Sequence, residues 1–321
     1  VNKGGKSFPS EILSVYKSPV NKPTVLIVNA FNRVSGPAAF TVDSTLAGFN
    51  DNWDAGVPYI SDISFIGNQY EFRRGKPYRS DENPGYGASF TDFEDKEIGG
   101  NSFDYPYIHG QAIKAAGYSF VSCSEKAVLN SKVKLYQHEI VDLILGKERQ
   151  FRSFSDSTKV DFKTFEPEMQ KAIIQLTDSG KCLFISGSNI VSDMELSKQS
   201  TVWDLNFIEK TLKIKWMSDK INNIDKVGFN HSVLKYFTGI NLSFYASPNP
   251  KTYFVEAPDV ITPADNSTVQ ICTYNDNKMG AGIAYKGKYK VCAFGFPFEN
   301  IKEDDNRNEL MKNILRFFTE K

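Results

Sequence analysis

The chain has 321 residues, of which 40% are hydrophobic and 24% are charged, a composition typical of a folded globular protein. Lys+Arg and Asp+Glu both number 38, so the formal net charge is zero, which argues against a broad basic surface for nucleic acid or an anionic membrane. No apolar run approaches the roughly 20 residues of a transmembrane segment. The four cysteines lack metal-type spacing, which favours small buried apolar side chains over a zinc site.

The first segment is VNKGGKSFPSEILSVYK (1–17), in which a Gly-containing turn and a Ser-x-Pro-Ser stretch precede a last alternating strand. This pattern resembles the end of a fibronectin type III module, which implies an extracellular, multimodular parent protein. Residues 1–21 would then be a module tail and linker, and residues 22–321 the main domain. The alternative is an arm that belongs to the main domain.

The first half of the main domain predicts a strand, a long insertion and two helices. TVLIVNAF (24–31) is a continuous apolar run, typical of a strand buried on both faces of a parallel sheet. Residues 41–107 are rich in Gly, Asn, Asp and aromatic residues without a sustained helical period, which predicts an irregular inserted loop. YIHGQAIKAAGYSFVSCS predicts a helix that stops at Gly117, then a strand. SEKAVLNSK predicts a helix capped by its serine.

The second half continues this alternation. YQHEIVDLILGKE predicts a buried strand, and FEPEMQKAIIQLTDSGKCLFIS predicts a helix that ends at Gly180 and leads into another strand. Residues 200–216 predict a helix capped by Ser200 or Thr201. GAGIAYKGKYKVCAFGFPFE predicts a hairpin with a buried second strand, and NRNELMKNILRFFTEK predicts a closing helix. The apolar faces of the two long helices are predicted at Met169, Ile173 and Leu176, and at Leu310, Ile314, Leu315 and Phe318.

Strands that alternate with helices predict an α/β fold, a doubly wound and mostly parallel sheet with helices on both faces. Ligands of such sheets bind at the carboxyl ends of the strands. His109 starts a predicted helix and should lie at this edge, whereas His138 precedes its strand and should lie at the opposite edge. Polar residues that follow predicted strands are the other candidates, namely Asn29, Arg33, Ser186, Ser188, Asn189, Asp193 and Glu299.

The segment KCLFISGSNIVSD (181–193) stands where class I glutamine amidotransferases carry a Gly-x-Cys-x-Gly nucleophile elbow. The layout of the chain resembles this flavodoxin-like, class I glutamine amidotransferase-like group. The segment has neither the cysteine nor the flanking glycines. The resemblance therefore implies the fold, and the altered elbow counts against amidotransferase chemistry.

A wider resemblance is carried by VLIVNAFNRVSGP, DNWDAGVPY, IGNQYEF, NPGYGASF, GNSFDYPYIHG and FGFPFENI. These segments resemble a family of secreted Bacteroidetes proteins that place a fibronectin type III module before an α/β domain and are often labelled xanthan lyase or cell-wall amidase. The resemblance spans residues 1–321. It implies a secreted or cell-surface location, periplasmic or extracellular, with neighbouring modules in the same chain and a glycan or peptidoglycan fragment as ligand. True xanthan lyases resemble an α-toroid joined to β-sandwiches, which this alternation does not fit.

Three residues are candidates for hydrolytic chemistry. Ser188 lies on a predicted turn where a nucleophile could stand, and His109 could be its base, oriented by Asp193 or Asp54. The alternative is a ligand-holding or structural turn, because Gly-x-Ser-x-Gly is absent and strands commonly end in Ser-Gly. Glu299 is the best candidate for an acid in glycoside cleavage. Its alternative role is that of an acidic residue favoured near a helix N-terminus.

Two features of the 41–107 segment could bind ligands. NDNWDAG brings Asp51 and Asp54 together with Asn and Gly on a predicted tight loop, donors that suit Ca²⁺, although the spacing is not that of a full EF-hand loop. No other metal or cofactor is predicted. Trp53 and Tyr107 belong to a crowd of aromatic residues that would suit the walls of a glycan cleft, or would pack the insertion onto the domain.

Two functions stay open at this point. The first is a glycan- or peptidoglycan-directed hydrolase in which Ser188, His109 and Glu299 share one cleft and have perturbed pKa values. The second is a non-catalytic carbohydrate-binding or scaffolding module that lost the nucleophile elbow. An enzyme should gather the three side chains, whereas a module should separate them.

Overall fold

The computed structural model describes residues 12–32, 37–43, 45–54, 69–70, 97–98, 101–152, 160–197, 200–218, 224–229, 235–246, 249, 251–255 and 257–320. For the strands between residues 37 and 98, only the backbone is described. Within the described residues, no helix is both long enough and apolar enough to cross a bilayer.

The structure contains strands and helices in alternation. The strands are β1 (Val25–Asn29), β2 (Pro37–Val42), β3 (Thr45–Asp54), β4 (Gln69–Tyr70), β5 (Glu97–Ile98), β6 (Phe120–Ser124), β7 (Ile140–Gly146), β8 (Phe151–Arg152), β9 (Val160–Asp161), β10 (Cys182–Gly187), β11 (Ile214–Ser218), β12 (Lys226–Gly228), β13 (Asn241–Ser243), β14 (Val260–Pro263), β15 (Thr268–Tyr274), β16 (Gly280–Lys286) and β17 (Lys290–Phe294). The helices are α1 (Tyr105–Ala115), α2 (Glu125–Leu129), α3 (Pro167–Asp178), α4 (Ser192–Glu195), α5 (Val202–Asn206) and α6 (Asp304–Thr319).

One large mixed sheet organises the domain. Its nine strands follow the order β13-β12-β15-β16-β17-β10-β7-β1-β6. The strands from β17 to β6 pair in parallel, and the strands from β13 to β17 pair in antiparallel fashion. Numbered along the chain, the parallel strands have the spatial order 2-1-3-4-5. The winding direction therefore reverses between β1 and β7, and in open α/β sheets such a switch point is the usual ligand position.

The two faces of the sheet bury separate cores because successive strand residues point to opposite sides. Val25 and Ile27 of β1 pack in the core that contains α1 and α6. Leu26 and Val28 pack in the core that contains α2 and α3. Helices thus cover both faces, and the predicted α/β class is confirmed.

Helix α1 lies close against the sheet. Gly110 permits this approach, since a Cβ atom there would lie 2.4 Å from the ring of Phe120 on β6. Pro106 occupies the first turn, where its missing N–H costs no hydrogen bond. The buried residues Tyr105, His109 and Ala112 follow each other at helical spacing and face the sheet.

The long helices form as their sequences predict. Helix α3 starts at Pro167 and is followed by Gly180 at a φ of 73°. Met169, Ile173 and Leu176 are all fully buried. Helix α2 is capped by the hydroxyl of Ser124, which accepts a hydrogen bond from the backbone N–H of Ala127. The predicted apolar stripe of α6 is buried as well, at Leu310, Ile314, Leu315 and Phe318.

Two predicted segments differ from the structure. Residues 41–107 are partly regular, because β2 and β3 form an antiparallel hairpin and α1 already begins at Tyr105. The helix predicted for residues 200–216 ends early: α5 continues as π-helical turns to Leu212, and Lys213 then adopts a φ of 65°. The β-branched and aromatic residues that follow form β11 instead.

An N-terminal arm covers the edge of the sheet at β6. Tyr16 and Phe120 form an antiparallel bridge, and the Ser122 hydroxyl donates a hydrogen bond of 2.6 Å to the carbonyl oxygen of Ser14. The arm therefore satisfies backbone groups that an open edge would expose. Residues 1–11 lie outside the described residues, and the fibronectin-like module tail stays a prediction.

Leu176→Ala is expected to lower the free energy of unfolding by about 2–5 kcal/mol, because Leu176 is fully buried under α3 and its truncation leaves a cavity. Gln175→Ala, on the exposed side of the same helix, is the matched control and should change stability by less than about 0.5 kcal/mol. Urea denaturation followed by circular dichroism measures both variants. Equal effects would contradict the assignment of the buried face.

Candidate functional site

Three buried ionisable side chains form a chain between α1 and the sheet. His109 is supplied by α1, Asp142 by β7, and Glu299 by the 3₁₀ turn that follows β17. Nδ1 of His109 lies 2.8 Å from Oδ2 of Asp142, and Nε2 lies 3.3 Å from Oε2 of Glu299. None of the three is more than 2% exposed. Each nitrogen of the imidazole therefore faces a carboxylate.

Aromatic rings enclose this cluster. The hydroxyl of Tyr253 donates a hydrogen bond of 2.6 Å to Oε1 of Glu299. The ring of Tyr253 lies 5.2 Å from that of Phe31 and 5.5 Å from that of Tyr105, in edge-to-face geometry. The imidazole lies 4.7 Å from the ring of Phe298. Burial, with the neighbouring charge of Glu299, raises the pKa of Tyr253 well above its ordinary value, so this hydroxyl remains a donor.

His109 is held in its protonated form. Burial lowers the pKa of His109, but the charges and hydrogen bonds of Asp142 and Glu299 raise it more, and the resulting pKa is about 9 against an ordinary 6.5. An imidazolium donates both of its N–H groups and has no lone pair with which to accept a proton. At neutral pH, His109 in this state cannot be the general base of a serine nucleophile.

Ser188 lies in a structural turn at the end of β10. Its backbone N–H and its hydroxyl both donate to the carbonyl oxygen of Gly146, at 2.8 and 3.3 Å. The Asn189 side-chain amide donates to the hydroxyl oxygen at 3.1 Å, and the N–H of Asp259 donates to the Ser188 carbonyl at 2.9 Å. Within the described residues, His109 is not among the hydrogen-bond partners of Ser188. The structure thus brings His109 and Glu299 together and gives Ser188 other partners.

Asp193 also makes bonds that hold neighbouring loops. Its carboxylate accepts from the backbone N–H of Gln150 at 2.9 Å and from the N–H and hydroxyl of Thr164 at 3.0 and 2.8 Å. Asn189 donates from its amide to the carbonyl of Glu148 at 3.4 Å. Asp193 therefore joins the loop after β7 to the segment that leads into α3, whereas the Asn189 side chain bonds the loop after β7 to Ser188. Neither contacts His109 within the described part of the chain.

Asn29 and Ser186 lie on the same face of the sheet as Asp142. Both pair in register with Ile144, one on each side of β7. Both are fully buried, and within the described residues neither the amide of Asn29 nor the hydroxyl of Ser186 has a hydrogen-bond partner. Asn29 and Ser186 thus add polar groups to the buried face without opening it to solvent.

The switch point between β1 and β7 is bridged by polar side chains of the protein. The backbone N–H of Asn32, just after β1, donates to Glu148 at 2.8 Å, and the Asn32 amide donates to Glu125 at 2.5 Å. The ammonium group of Lys147 donates to the carbonyl of Phe254 at 2.8 Å. All four polar side chains are at least nine-tenths buried. Hydrogen bonds within the protein therefore occupy the position where the sheet topology predicts a ligand.

The remaining candidates lie on or beside the inserted segment. Arg33 lies outside the described residues. Asp51, Trp53 and Asp54 belong to β3, where only the backbone is described, and this backbone is a strand rather than the tight loop expected for Ca²⁺. Asp54 pairs with Pro37 and Asn50 pairs with Ala38, so the strand is irregular between Asn50 and Asp54, and the calcium site stays a prediction. Tyr107, on α1, is 54% exposed. The described residues contain no group of three or more metal-binding side chains.

Sequence reasoning missed two members of the buried cluster. Asp142 stands inside the otherwise apolar strand IVDLILG, and an acidic residue at such a position requires a buried partner, which is a readable signal. Tyr253 lies between strands in a segment without periodicity. No pattern in the sequence around Tyr253 indicates its contact with Glu299.

Comparisons with known proteins give no family. No family model matches the chain, and no curated protein matches it. Among solved structures, a candidate GMP synthase component from Thermoplasma acidophilum is similar at 10% identity with a TM-score of 0.40, covering 66% of this chain and 89% of that one. The exo-β-1,4-mannosidase Op5Man5 from Opitutaceae bacterium strain TAV5 is similar at 8% identity with a TM-score of 0.38, covering 78% of this chain and 35% of that one. Likenesses of this size establish no function.

The stability of the protein is expected to fall as the pH rises from 6.5 to 9. Because the folded-state pKa of His109 lies above its unfolded value, the contribution of the imidazolium is complete below pH 6.5 and is lost as the pH passes through about 9. A shift of this size corresponds to on the order of 3 kcal/mol. Urea denaturation at pH 6.5 and at pH 9 measures the loss of stability. NMR titration of the imidazole shows whether His109 is the group that loses its proton over this range.

The matched control is His138→Gln, at the amino end of β7, where burial lowers the pKa of the histidine. This variant should keep the loss of stability between pH 6.5 and 9. An unchanged free energy of unfolding in the wild-type protein across this range would contradict a protonated His109.

Proposed function

We propose that this chain is a non-catalytic carbohydrate-binding domain of a secreted polysaccharide- or cell-wall-processing protein. The observation that carries the proposal is the state of His109, whose two ring nitrogens are bound by buried carboxylates. A general base needs a free lone pair within reach of its nucleophile, and this histidine offers none. Carbohydrate as the ligand and secretion as the location follow from the family resemblance of the sequence.

The finer fold assignment belongs to the same proposal. The 2-1-3-4-5 order of the parallel strands is that of flavodoxin-like sheets, which supports placing the domain beside the class I glutamine amidotransferase-like group. At the position of the amidotransferase elbow stands Ser188, whose hydroxyl is engaged by Gly146 and Asn189. We infer a domain that keeps the fold of this group and binds its ligand at a different surface.

The hydrolase alternative requires Ser188 and His109 to meet. In the described residues the hydroxyl of Ser188 bonds to Gly146 and Asn189, whereas His109 bonds to Asp142 and Glu299. Forming the pair would break buried bonds of both side chains, each worth about 1 kcal/mol or more. The binding role needs no such rearrangement.

The purified protein is expected to bind at least one polysaccharide on a glycan array and to release no reducing ends, acyl groups or amino groups from a panel of glycans, esters and peptidoglycan. Ser188→Ala should lower the free energy of unfolding by about 1 kcal/mol through its lost hydrogen bonds and should leave glycan binding unchanged. Ser179→Ala, at the exposed C-terminus of α3, is the control for serine truncation. Turnover that disappears in Ser188→Ala would establish the hydrolase instead.

A further inference from the structure

Two adjoining grooves lie on the outer side of α1. The first, of about 510 Å³, runs between α1 and α6 and is lined by Tyr16, Tyr107, Gln111, Lys114, Asn308 and their apolar neighbours. The second, of about 310 Å³, lies beside the loop that carries Lys251 and Thr252. Both are lined by Ile108, Asp304 and Arg307, so they adjoin, and the pair is called the trough below. Each volume falls within the range of about 300–1,000 Å³ that is common for ligand sites.

The first groove offers an aromatic platform. Tyr107 is 54% exposed, although Tyr105 on the same helix is buried. Gln111 lies one turn further along α1, and Asn308 faces it from α6. Within the described residues neither amide side chain makes a hydrogen bond. An exposed aromatic face flanked by unengaged amides can stack on a sugar ring and bind its hydroxyl groups.

The second groove contains cations without acidic partners. The ammonium groups of Lys251 and Lys302 make no ion pair with a described residue, and that of Lys302 lies 5.4 Å from the centre of the Tyr245 ring. Of the acidic side chains nearby, Asp304 pairs with Arg307, whereas Asp104 accepts a hydrogen bond from the neutral hydroxyl of Ser102 and keeps its charge.

Glu299 also lines this groove, but its carboxylate faces the interior. Its side chain is fully buried and points inward to His109 and Tyr253. Lys251 and Lys302 are therefore available to an anionic ligand, because neither ammonium group is held in an ion pair with a described carboxylate.

We propose that the trough binds an acidic oligosaccharide, with one sugar ring stacked on Tyr107 and the carboxylate of a neighbouring uronic acid held by Lys251 and Lys302. The inference rests on the proposed carbohydrate-binding function and names its site and its class of ligand. Lysine binds a carboxylate as a point charge, which suits a carboxylate on a flexible polymer. Arg307 is tied to Asp304 and to the carbonyl of Ile301, so it shapes the junction between the two grooves.

The test uses the whole chain and two oligosaccharides of equal length, hexagalacturonate and the neutral cellohexaose. Isothermal titration calorimetry is expected to show tighter binding of hexagalacturonate, with an affinity that falls as salt is added. The double variant Lys251→Gln, Lys302→Gln should lose about tenfold or more in affinity for hexagalacturonate and keep its affinity for cellohexaose. Tyr107→Ala should weaken both oligomers by about tenfold, because stacking is independent of ligand charge.

Lys312→Gln is the matched control, since Lys312 is exposed on α6 and lines neither groove. It should bind both oligomers as the wild-type protein does. All of the substituted side chains are exposed, and the thermal unfolding of each variant confirms that it is folded.

The outcomes separate the two proposals. Glycan binding that none of the groove variants changes would overturn this site and leave the carbohydrate-binding function intact. Equal wild-type affinity for the two hexamers, or an array on which only neutral glycans bind, would overturn the acidic ligand class. Absence of binding to every glycan on the array would overturn both the function and the site.

Discussion

A carboxylate in the middle of a parallel sheet needs a cation beside it, and in this protein the position of one helix follows from that need. Asp142 stands on β7, with β1 and β10 on either side. His109 of α1 supplies the positive charge, and Glu299 binds the second nitrogen of the same ring. Removing one member of such a buried group typically costs about 3–5 kcal/mol, because the remaining charges lose their partner. The cluster thus ties α1, the centre of the sheet and the turn after β17 together.

This fixed geometry decides what α1 can do on its other side. The helix cannot move away from the sheet without separating buried charges, and Gly110 lets it lie against the Phe120 ring. Its outward residues therefore form a rigid wall opposite α6. A ligand that binds such a preformed wall loses little of its affinity to reorganisation of the protein. The same buried ion pairs that exclude His109 from base catalysis give the outer groove its shape.

Much of the fold could be predicted because hydrophobic periodicity is a local signal. The stripe Met169, Ile173, Leu176 and the run TVLIVNAF each indicate their element without knowledge of the rest of the chain. The hairpin of β2 and β3 was missed because Gly48 and the polar run Asn50, Asp51 and Asn52 interrupt the apolar alternation of β3. His109 and Glu299 do lie together, but they meet beside Asp142 in the middle of β7, not at the carboxyl ends of the strands where His109 was expected.

Ser188 does follow the carboxyl end of β10 as predicted, but its hydrogen-bond partners were not predicted, because hydrogen bonds within a turn leave no trace in residue spacing. Contacts such as that of Tyr253 with Glu299 join segments 46 residues apart and depend on the whole packing.

Helix α1 carries two stripes under separate constraints. Tyr105, His109 and Ala112 face inward, where charge pairing and close packing allow few replacements. Tyr107, Gln111 and Lys114 repeat the same spacing two residues later, on the opposite side of the helix, and line the groove. Substitutions along the outer stripe should therefore cost little in folding stability, and under the proposed binding function they would alter ligand preference, whereas a change at one inner residue requires compensating changes at its buried partners. Among relatives of this protein, the outer positions of α1 are where diversification of specificity should first be visible.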